Sequence, residues 1–338
     1  MPATRSLGWG LIGASNIARE WMIPAINAQP DSRVVAVMSS SPERAAVYAR
    51  ENGIPRHYTY VDTLLADPEV DVVYISTTNE KHRDETLLAA RAGKHVLCEK
   101  PLALNLADAR TMVDACVRAG VVMGTNHHLR NAVTHRTMKQ LVRGGAIGTP
   151  LAARVFHAVY LPEHLQGWRI LRHETGAGTI MDITVHDADT LRFVLGQEAV
   201  EVTALATQQG MGQGDIEDGV MGVIRFESGL LAQFHDAFTI KHGITGFQVH
   251  GTEGSIYAKD VMTQRPIGQV YVMRNGVREP IDPGPPENLY AHAVRRFNEA
   301  VHGRGAPWAA GEDGVRSLAI ALAVLESTKT GRKVAVER

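Results

Sequence analysis

Residues 95–101 read His-Val-Leu-Cys-Glu-Lys-Pro, an apolar run that ends in a carboxylate, an ammonium and a proline. A strand with this ending delivers Glu99 and Lys100 to its C-terminal edge, where open parallel sheets bind their ligands. Pro101 blocks further pairing and stiffens the turn, so the Lys100 side chain starts from a fixed point. A cation held there suits an oxygen on which negative charge develops. A second constellation lies in Gly176-Ala-Gly178-Thr-Ile-Met-Asp182-Ile-Thr-Val-His186-Asp187. Asp182 and His186 stand four apart in a helical pattern, on one face and about 5–6 Å apart at Cβ. A carboxylate beside an imidazole fixes its tautomer and supports the charged form that a proton donor needs. Taken singly, a polar strand end and an ordinary helix ion pair are the better explanations of these residues. A zinc site would need a further ligand, and the adjacent His127-His128 point to opposite faces of a strand, so no metal is expected.

A third group lies nearer the start, in Gly13-Ala14-Ser15-Asn16-Ile17-Ala18. A dinucleotide turn needs Gly for the tight bend, a small residue where backbone meets pyrophosphate, and a small residue for helix–strand packing. Gly13, Ser15 and Ala18 fill these places as Gly-x-Ser-x-x-Ala. Serine departs from the usual second glycine but is small and can donate to phosphate. A following helix would present its free N–H groups to the anion. About twenty residues on, where an NAD site carries an acid for the ribose 2′-hydroxyl, the chain has Ser39-Ser40-Ser41 and then Arg44. Serine hydroxyls and a guanidinium would bind a 2′-phosphate that a carboxylate would repel, so NADP(H) is the expected cofactor.

These groups need elements to position them. Strand patterns at Trp9–Ile12, Val34–Met38, Val70–Ser76, Val96–Cys98 and Val121–Gly124 alternate with helical ones. The helices are expected at Asn16–Ala28, Pro42 to Asn52-Gly53, Glu80–Ala92 and Leu106–Ala119. Such alternation specifies an α/β, doubly wound parallel sheet of the Rossmann kind over residues 1–126. Residues 127–338 read as an α+β domain on a mostly antiparallel open sheet. Its expected strands are Leu151–Ala158, Val200–Thr207, Val220–Phe226, Leu230–Phe238, Thr245–His250 and Gln269–Met273. Its helices fall at Thr134–Arg143, Ile180–Leu195, Leu289–Val301 and Gly314–Thr328.

With 338 residues the chain is long enough for two cores, and 44% hydrophobic with 21% charged residues is ordinary for a globular protein. A net charge of -1 gives no global attraction for nucleic acid or anionic lipid, and neither is an expected partner. No segment approaches the roughly 20 apolar residues of a membrane helix, and the N-terminus lacks a signal-peptide pattern. With Cys98 and Cys116 as its two cysteines, a reducing cytoplasm is the expected location.

Together the Gly-x-Ser-x-x-Ala turn, Glu99-Lys100-Pro101 and the Asp182-x-x-x-His186 helix resemble the glucose–fructose oxidoreductase, inositol dehydrogenase and rhizopine catabolism (Gfo/Idh/MocA) family. The resemblance covers essentially the whole chain. Runs at 9–15, 124–130, 156–162, 166–169 and 184–189 are similar to an NADPH-dependent branch that reduces cyclic keto sugars. The resemblance implies a cis peptide before Pro101, Lys100 holding substrate oxygens, and His186 as proton donor oriented by Asp182. Which of Lys100 and His186 gives up the proton stays open. It further implies that Thr77, Thr78, Asn79 and His82 line the cofactor cleft with Glu99 and Asn126. Trp168, Arg169 and Tyr290 would close over cofactor or substrate from the second domain. The implied reaction is reduction of a cyclic sugar ketone, 1,5-anhydro-D-fructose to 1,5-anhydro-D-mannitol, with homo-oligomerisation through the open sheet left open. An NAD(P)-dependent sugar or inositol dehydrogenase shares the motifs, and a non-catalytic dinucleotide sensor is the rival of another class.

Overall fold

The computed structural model describes residues 6–338. Strands β1 (Leu7–Ile12), β2 (Ser32–Met38), β3 (Arg56–Tyr58), β4 (Val72–Ile75), β5 (His95–Cys98) and β6 (Met123–Thr125) form one sheet in the order β3-β2-β1-β4-β5-β6. Every pair is parallel. β1 and β4 are buried at every position, as continuous apolar runs covered by helices on both faces must be. The strand order reverses between them, so the crevice that receives a ligand opens beyond Ile12 and Ile75.

Local chemistry sets the helix ends. Ser41 caps the helix Pro42–Glu51 by accepting from Arg44 N at 3.2 Å. Asn105 caps Leu106–Ala119 by accepting from Asp108 N at 2.9 Å, and Gly120 ends that helix in the left-handed conformation. The helix expected over Asn16–Ala28 forms from Asn16 to Asn27, but its middle is a π turn, Ala18–Met22, before a short α-helix, Ile23–Asn27. Pro24 has no N–H for the carbonyl four residues back, and the chain accommodates it by a wider turn in which Ile23 N donates to Ala18 O.

The chain sorts into two units. The first runs to His128 and takes in Tyr290–Val315, and the second comprises Leu129–Leu289 and Arg316–Arg338. A single boundary after residue 126 therefore does not describe the path. The segment Tyr290–Val315 joins the first unit because its side chains and backbone complete that core. Phe297 packs on Trp9 with ring centroids 5.5 Å apart, and Thr125 N donates to Ala309 O at 3.0 Å.

In the second unit β7 (Pro150–Ala158), β8 (Ala199–Thr207), β9 (Gly219–Phe226), β10 (Leu231–Ala237), β11 (Gly246–Gly251), β12 (Ser255–Lys259), β13 (Gln269–Arg274), β14 (Val277–Ile281) and β15 (Val334–Ala335) form a second sheet. Its order is β14-β13-β12-β11-β7-β10-β9-β8-β15. β7 and β10 pair in parallel, and the other neighbours are antiparallel. Burial alternates along β10, with Ala232, Phe234 and Asp236 inward and Leu231 and Gln233 outward. All residues of the helix Val185–Leu195 are buried. Among the described residues no helix is long and apolar enough to cross a membrane.

Candidate active site

The turn after β1 is shaped for close approach. Gly13 has φ +109°, and a Cβ there would lie 3.1 Å from the Ser76 and Thr77 backbone, so only glycine lets β1 and β4 end side by side. Ser15 Oγ accepts from Ala18 N at 3.2 Å and shares a hydrogen bond with Ser76 Oγ at 2.7 Å. Its carbonyl accepts from Tyr48 Oη at 2.8 Å, while Asn16 accepts from the Arg19 guanidinium at 2.9 Å. Arg44 reaches back to the same turn and donates to Ala14 O at 2.6 Å. Ser39 is buried, Ser40 is exposed, and Ser41 is used as the helix cap. No carboxylate stands at the end of β2.

The ends of β4, β5 and β6 carry the next group. Glu99 accepts from Tyr74 Oη in a very short hydrogen bond, from Asn126 Nδ2 at 2.6 Å and from Lys100 N at 3.3 Å. Tyr74 is fully buried, and burial together with the Glu99 charge holds its hydroxyl well above the usual phenol range. The peptide between Lys100 and Pro101 is cis, as the family resemblance implied. His82 straps the Pro101 turn: its Nδ1 lies 3.0 Å from Pro101 O and its Nε2 3.3 Å from Thr77 O. Burial lowers the His82 pKa despite both carbonyls, so the neutral ring donates to one of them. Thr77 spends its hydroxyl on Glu85 at 2.6 Å, and Thr78 donates to Glu80 at 2.6 Å. Asn79 is buried at the start of the turn Asn79–Lys81.

These residues fit a dinucleotide. The Gly13 cradle would be filled by any side chain, and Asn126 Oδ1 is a buried acceptor with no donor among the described residues. An acceptor left unsatisfied costs about 1–3 kcal/mol, which a bound donor such as an amide or ribose hydroxyl recovers. Tyr74 is the member that sequence reading missed. Inside an all-apolar strand pattern its hydroxyl carried no signal until the register placed it under Glu99.

In the second unit the Asp182–His186 segment changes helix type midway. Asp182 lies in the π turn Ile180–Thr184, and His186 in the first turn of Val185–Leu195. Gly178, at φ +103°, makes the entry: a Cβ there would meet the Glu217 carboxylate at 2.3 Å. Glu217 accepts from Ile180 N at 2.9 Å, placing a negative charge at the helix start. Asp182 accepts from Arg169 Nε at 3.2 Å, and the Arg169 guanidinium lies over the Trp168 ring at 4.7 Å. His186 is 7% exposed. A helix buried all round must satisfy its own charges. Asp189 takes Arg130 Nε at 2.7 Å, Arg192 makes a two-pronged bond to Glu198 with both contacts at 2.7 Å, and Asp187 takes His157 Nδ1 at 2.7 Å.

Tyr290 falls elsewhere. It belongs to the first unit, is fully buried, and stacks on Trp21 at 5.3 Å and on His128 at 5.2 Å. Its expected place in the second domain is therefore corrected: the ring belongs to the first unit, where it lies close enough to Tyr74 to act on that hydroxyl's ionisation.

A parallel sheet with this glycine turn and this strand-end carboxylate defines a nicotinamide-dinucleotide oxidoreductase. Residues 7–127 match the oxidoreductase family with NAD-binding Rossmann fold, and residues 135–257 match the GFO/IDH/MocA C-terminal domain. The chain belongs to the Gfo/Idh/MocA family. It is 59% identical to the 1,5-anhydro-D-fructose reductase of Ensifer adhaerens over 97% of this chain and 98% of that protein. Among solved structures, it is similar to the aldose-aldose oxidoreductase of Caulobacter crescentus complexed with glycerol, with TM-score 0.90 and 28% identity over 98% and 100% of the two chains. It is also similar to levoglucosan dehydrogenase in complex with NADH and levoglucosan, with TM-score 0.88 and 25% identity over 99% and 100%.

Proposed function

We propose that this protein is an NADPH-dependent reductase of a cyclic sugar ketone, converting 1,5-anhydro-D-fructose to 1,5-anhydro-D-mannitol. The observation that carries the substrate is the 59% identity to 1,5-anhydro-D-fructose reductase across nearly the full length of both chains. The cofactor choice is supported by Ser39, Ser40 and Arg44 standing where a 2′-hydroxyl-binding acid would stand. When bound, NADPH supplies a hydride from nicotinamide C4 to the carbonyl carbon.

The chain's own groups answer the charge that then develops on oxygen. Lys100 and His186 between them supply the cation and the proton that such an oxygen requires. Asp182 orients this segment through Arg169, to which it is hydrogen-bonded. Gly13, Ala14, Ser15, Asn16, Ile17 and Ala18 hold the pyrophosphate, and Glu99 with Asn126 holds the nicotinamide end. Thr77, Thr78, Asn79 and His82 shape the cleft wall, and Trp168 with Arg169 closes on the sugar. A cytoplasmic location is supported by Cys98 and Cys116, both buried free thiols. Homo-oligomerisation through the open sheet is supported by exposed Leu205, Met221, Val223 and Leu231, which neighbouring strands bring together on β8, β9 and β10.

The test is NADPH and NADH oxidation with a panel of cyclic keto sugars that includes 1,5-anhydro-D-fructose, beside NAD(P)+ reduction with sugars and inositols. Turnover of 1,5-anhydro-D-fructose with NADPH is the expected result. Activity confined to polyols with NAD+ would make the protein a dehydrogenase. Tight NADPH binding without turnover of any carbonyl would make it a sensor.

A further inference from the structure

His157 on β7 and Asp236 on β10 are register partners across the parallel pair of the second sheet, both on its inward face. His157 Nδ1 lies 2.7 Å from Asp187 Oδ1, and Thr184 Oγ1 donates to Asp236 Oδ2 at 2.6 Å. Asp187 and Asp236 are 0% exposed, and each lies close enough to the other to act on its ionisation. Their remaining oxygens, Asp187 Oδ2 and Asp236 Oδ1, have no donor among the described residues. Two carboxylates cannot hydrogen-bond unless a proton lies between them, and two bare charges side by side out of water are strongly unfavourable. One shared proton satisfies the pair. In keeping with this, burial and then the neighbouring carboxyl push Asp236 well above the carboxylate range, and burial pushes Asp187 up to about 7.

The sequence positions give the cluster its consequence. Thr184 and Asp187 flank His186: Thr184 is hydrogen-bonded to Asp236, and the Asp187 carboxyl is its ionisable neighbour. We propose that Asp236 is a positioning residue: the proton it shares with Asp187 ties both flanks of His186 to β10, and His157 extends the tie to β7. The inference rests on the reading that His186 serves the reduction. The other ionisable groups packed around the cluster are accounted for. His135, on the helix Val133–Arg143, is held neutral by burial, its pKa pushed down to about 3. Asp182 in the π turn carries Arg169, while Asp189 on the helix engages Arg130 and Glu198, beyond the helix end, engages Arg192. His235 on β10 packs its ring edge-on to Phe156, on the alternate register positions of the sheet. The ring of His186 itself lies 6.5 Å from that of His157.

Raising the pH removes the shared proton, sets two buried carboxylates against each other and releases the His186 turn. Asparagine at 236 reproduces the protonated acid, because its carbonyl accepts from Thr184 and its amide donates to Asp187, but it has no proton to lose. The experiment compares kcat and KM against pH for the full-length wild type, Asp236→Asn and Asp236→Val, with infrared difference spectra of the buried carboxylic acid. Asp236→Asn is expected to keep kcat within about twofold at neutral pH and to lose the alkaline decline. Asp236→Val is expected to lower kcat about tenfold or more with KM for NADPH unchanged. The wild type shows a protonated-carboxyl band that Asp236→Asn lacks. Retention of the wild-type alkaline limb in Asp236→Asn, or absence of that band from the wild type, overturns the proposal. If Asp236→Val does not fold, the asparagine profile and the band decide. His186→Ala, measured alongside, separates the two readings: full turnover there sinks the role of His186 in the reduction, while the infrared band still judges the shared proton.

Discussion

Two carboxyl groups at strand ends meet their surroundings in opposite ways. Glu99, in the first unit, gathers donors from Tyr74, Asn126 and its own neighbour's N–H. Asp236, in the second, has Thr184 and another carboxyl. Where donors outnumber acceptors, a carboxylate can be fixed as an anion-shaped acceptor. Where two acids divide too few donors, a proton must stay. The first arrangement suits holding a ligand's hydroxyls, and the second suits bracing a helix.

The largest expected effect falls on the residue beside Glu99. Lys100→Met is expected to lower kcat by about 10²–10³, the usual loss when one charge-stabilising donor is removed. Steady-state rates at saturating NADPH check it, and a near-normal kcat would remove Lys100 from the chemistry. Next comes the donor count itself. Tyr74→Phe takes one donor from Glu99 and is expected to destabilise the protein by about 1–3 kcal/mol and raise KM for NADPH. Denaturant titration together with cofactor kinetics measures both, and an unchanged KM would show that Glu99 needs only Asn126 and Lys100 N.

Arg44→Ala is expected to weaken NADPH binding about tenfold while leaving NADH binding nearly constant, since only the 2′-phosphate loses a charged donor. Part of any common loss would report the Ala14 carbonyl that Arg44 also holds. Fluorescence titration with both cofactors separates these contributions. The smallest effect concerns Glu85, which burial raises to about 7 although Thr77 donates to it. Its folded pKa lies above the unfolded one, so the folded state binds more protons between the ordinary carboxylate range and about 7. Stability therefore falls as pH rises through that window, and Glu85→Gln should flatten the slope in melts taken across it.

Much of the fold was legible in one dimension. Leu106–Ala119 was bounded by Asn105 and Gly120, residues whose side-chain acceptor and left-handed tolerance act locally. The strands flanking the glycine turn stood out because both faces are buried and their apolar runs are unbroken. Elements with weak local signals were missed: β3 has only the polar Arg56–Tyr58, β14 is largely exposed and contains Pro280, and Glu163–Leu171 is interrupted by Gly167 at φ 32°. The assignment of Tyr290–Val315 to the first unit had no signature, because packing against Trp9 and Trp21 is set by residues hundreds of positions away.

The sequence by itself determined the residues that carry charge and the turns that present them: Gly13 through Ala18, Ser39 to Arg44, Glu99-Lys100-Pro101 and the Asp182–His186 spacing. Those depend on short-range sterics and on side-chain chemistry. Only the tertiary structure decided what each charge is paired with. Asp182 turns to Arg169, Glu99 to Tyr74, and Asp187 to His157 and Asp236. Burial and strand register set those partnerships, and neither can be read from neighbours along the chain.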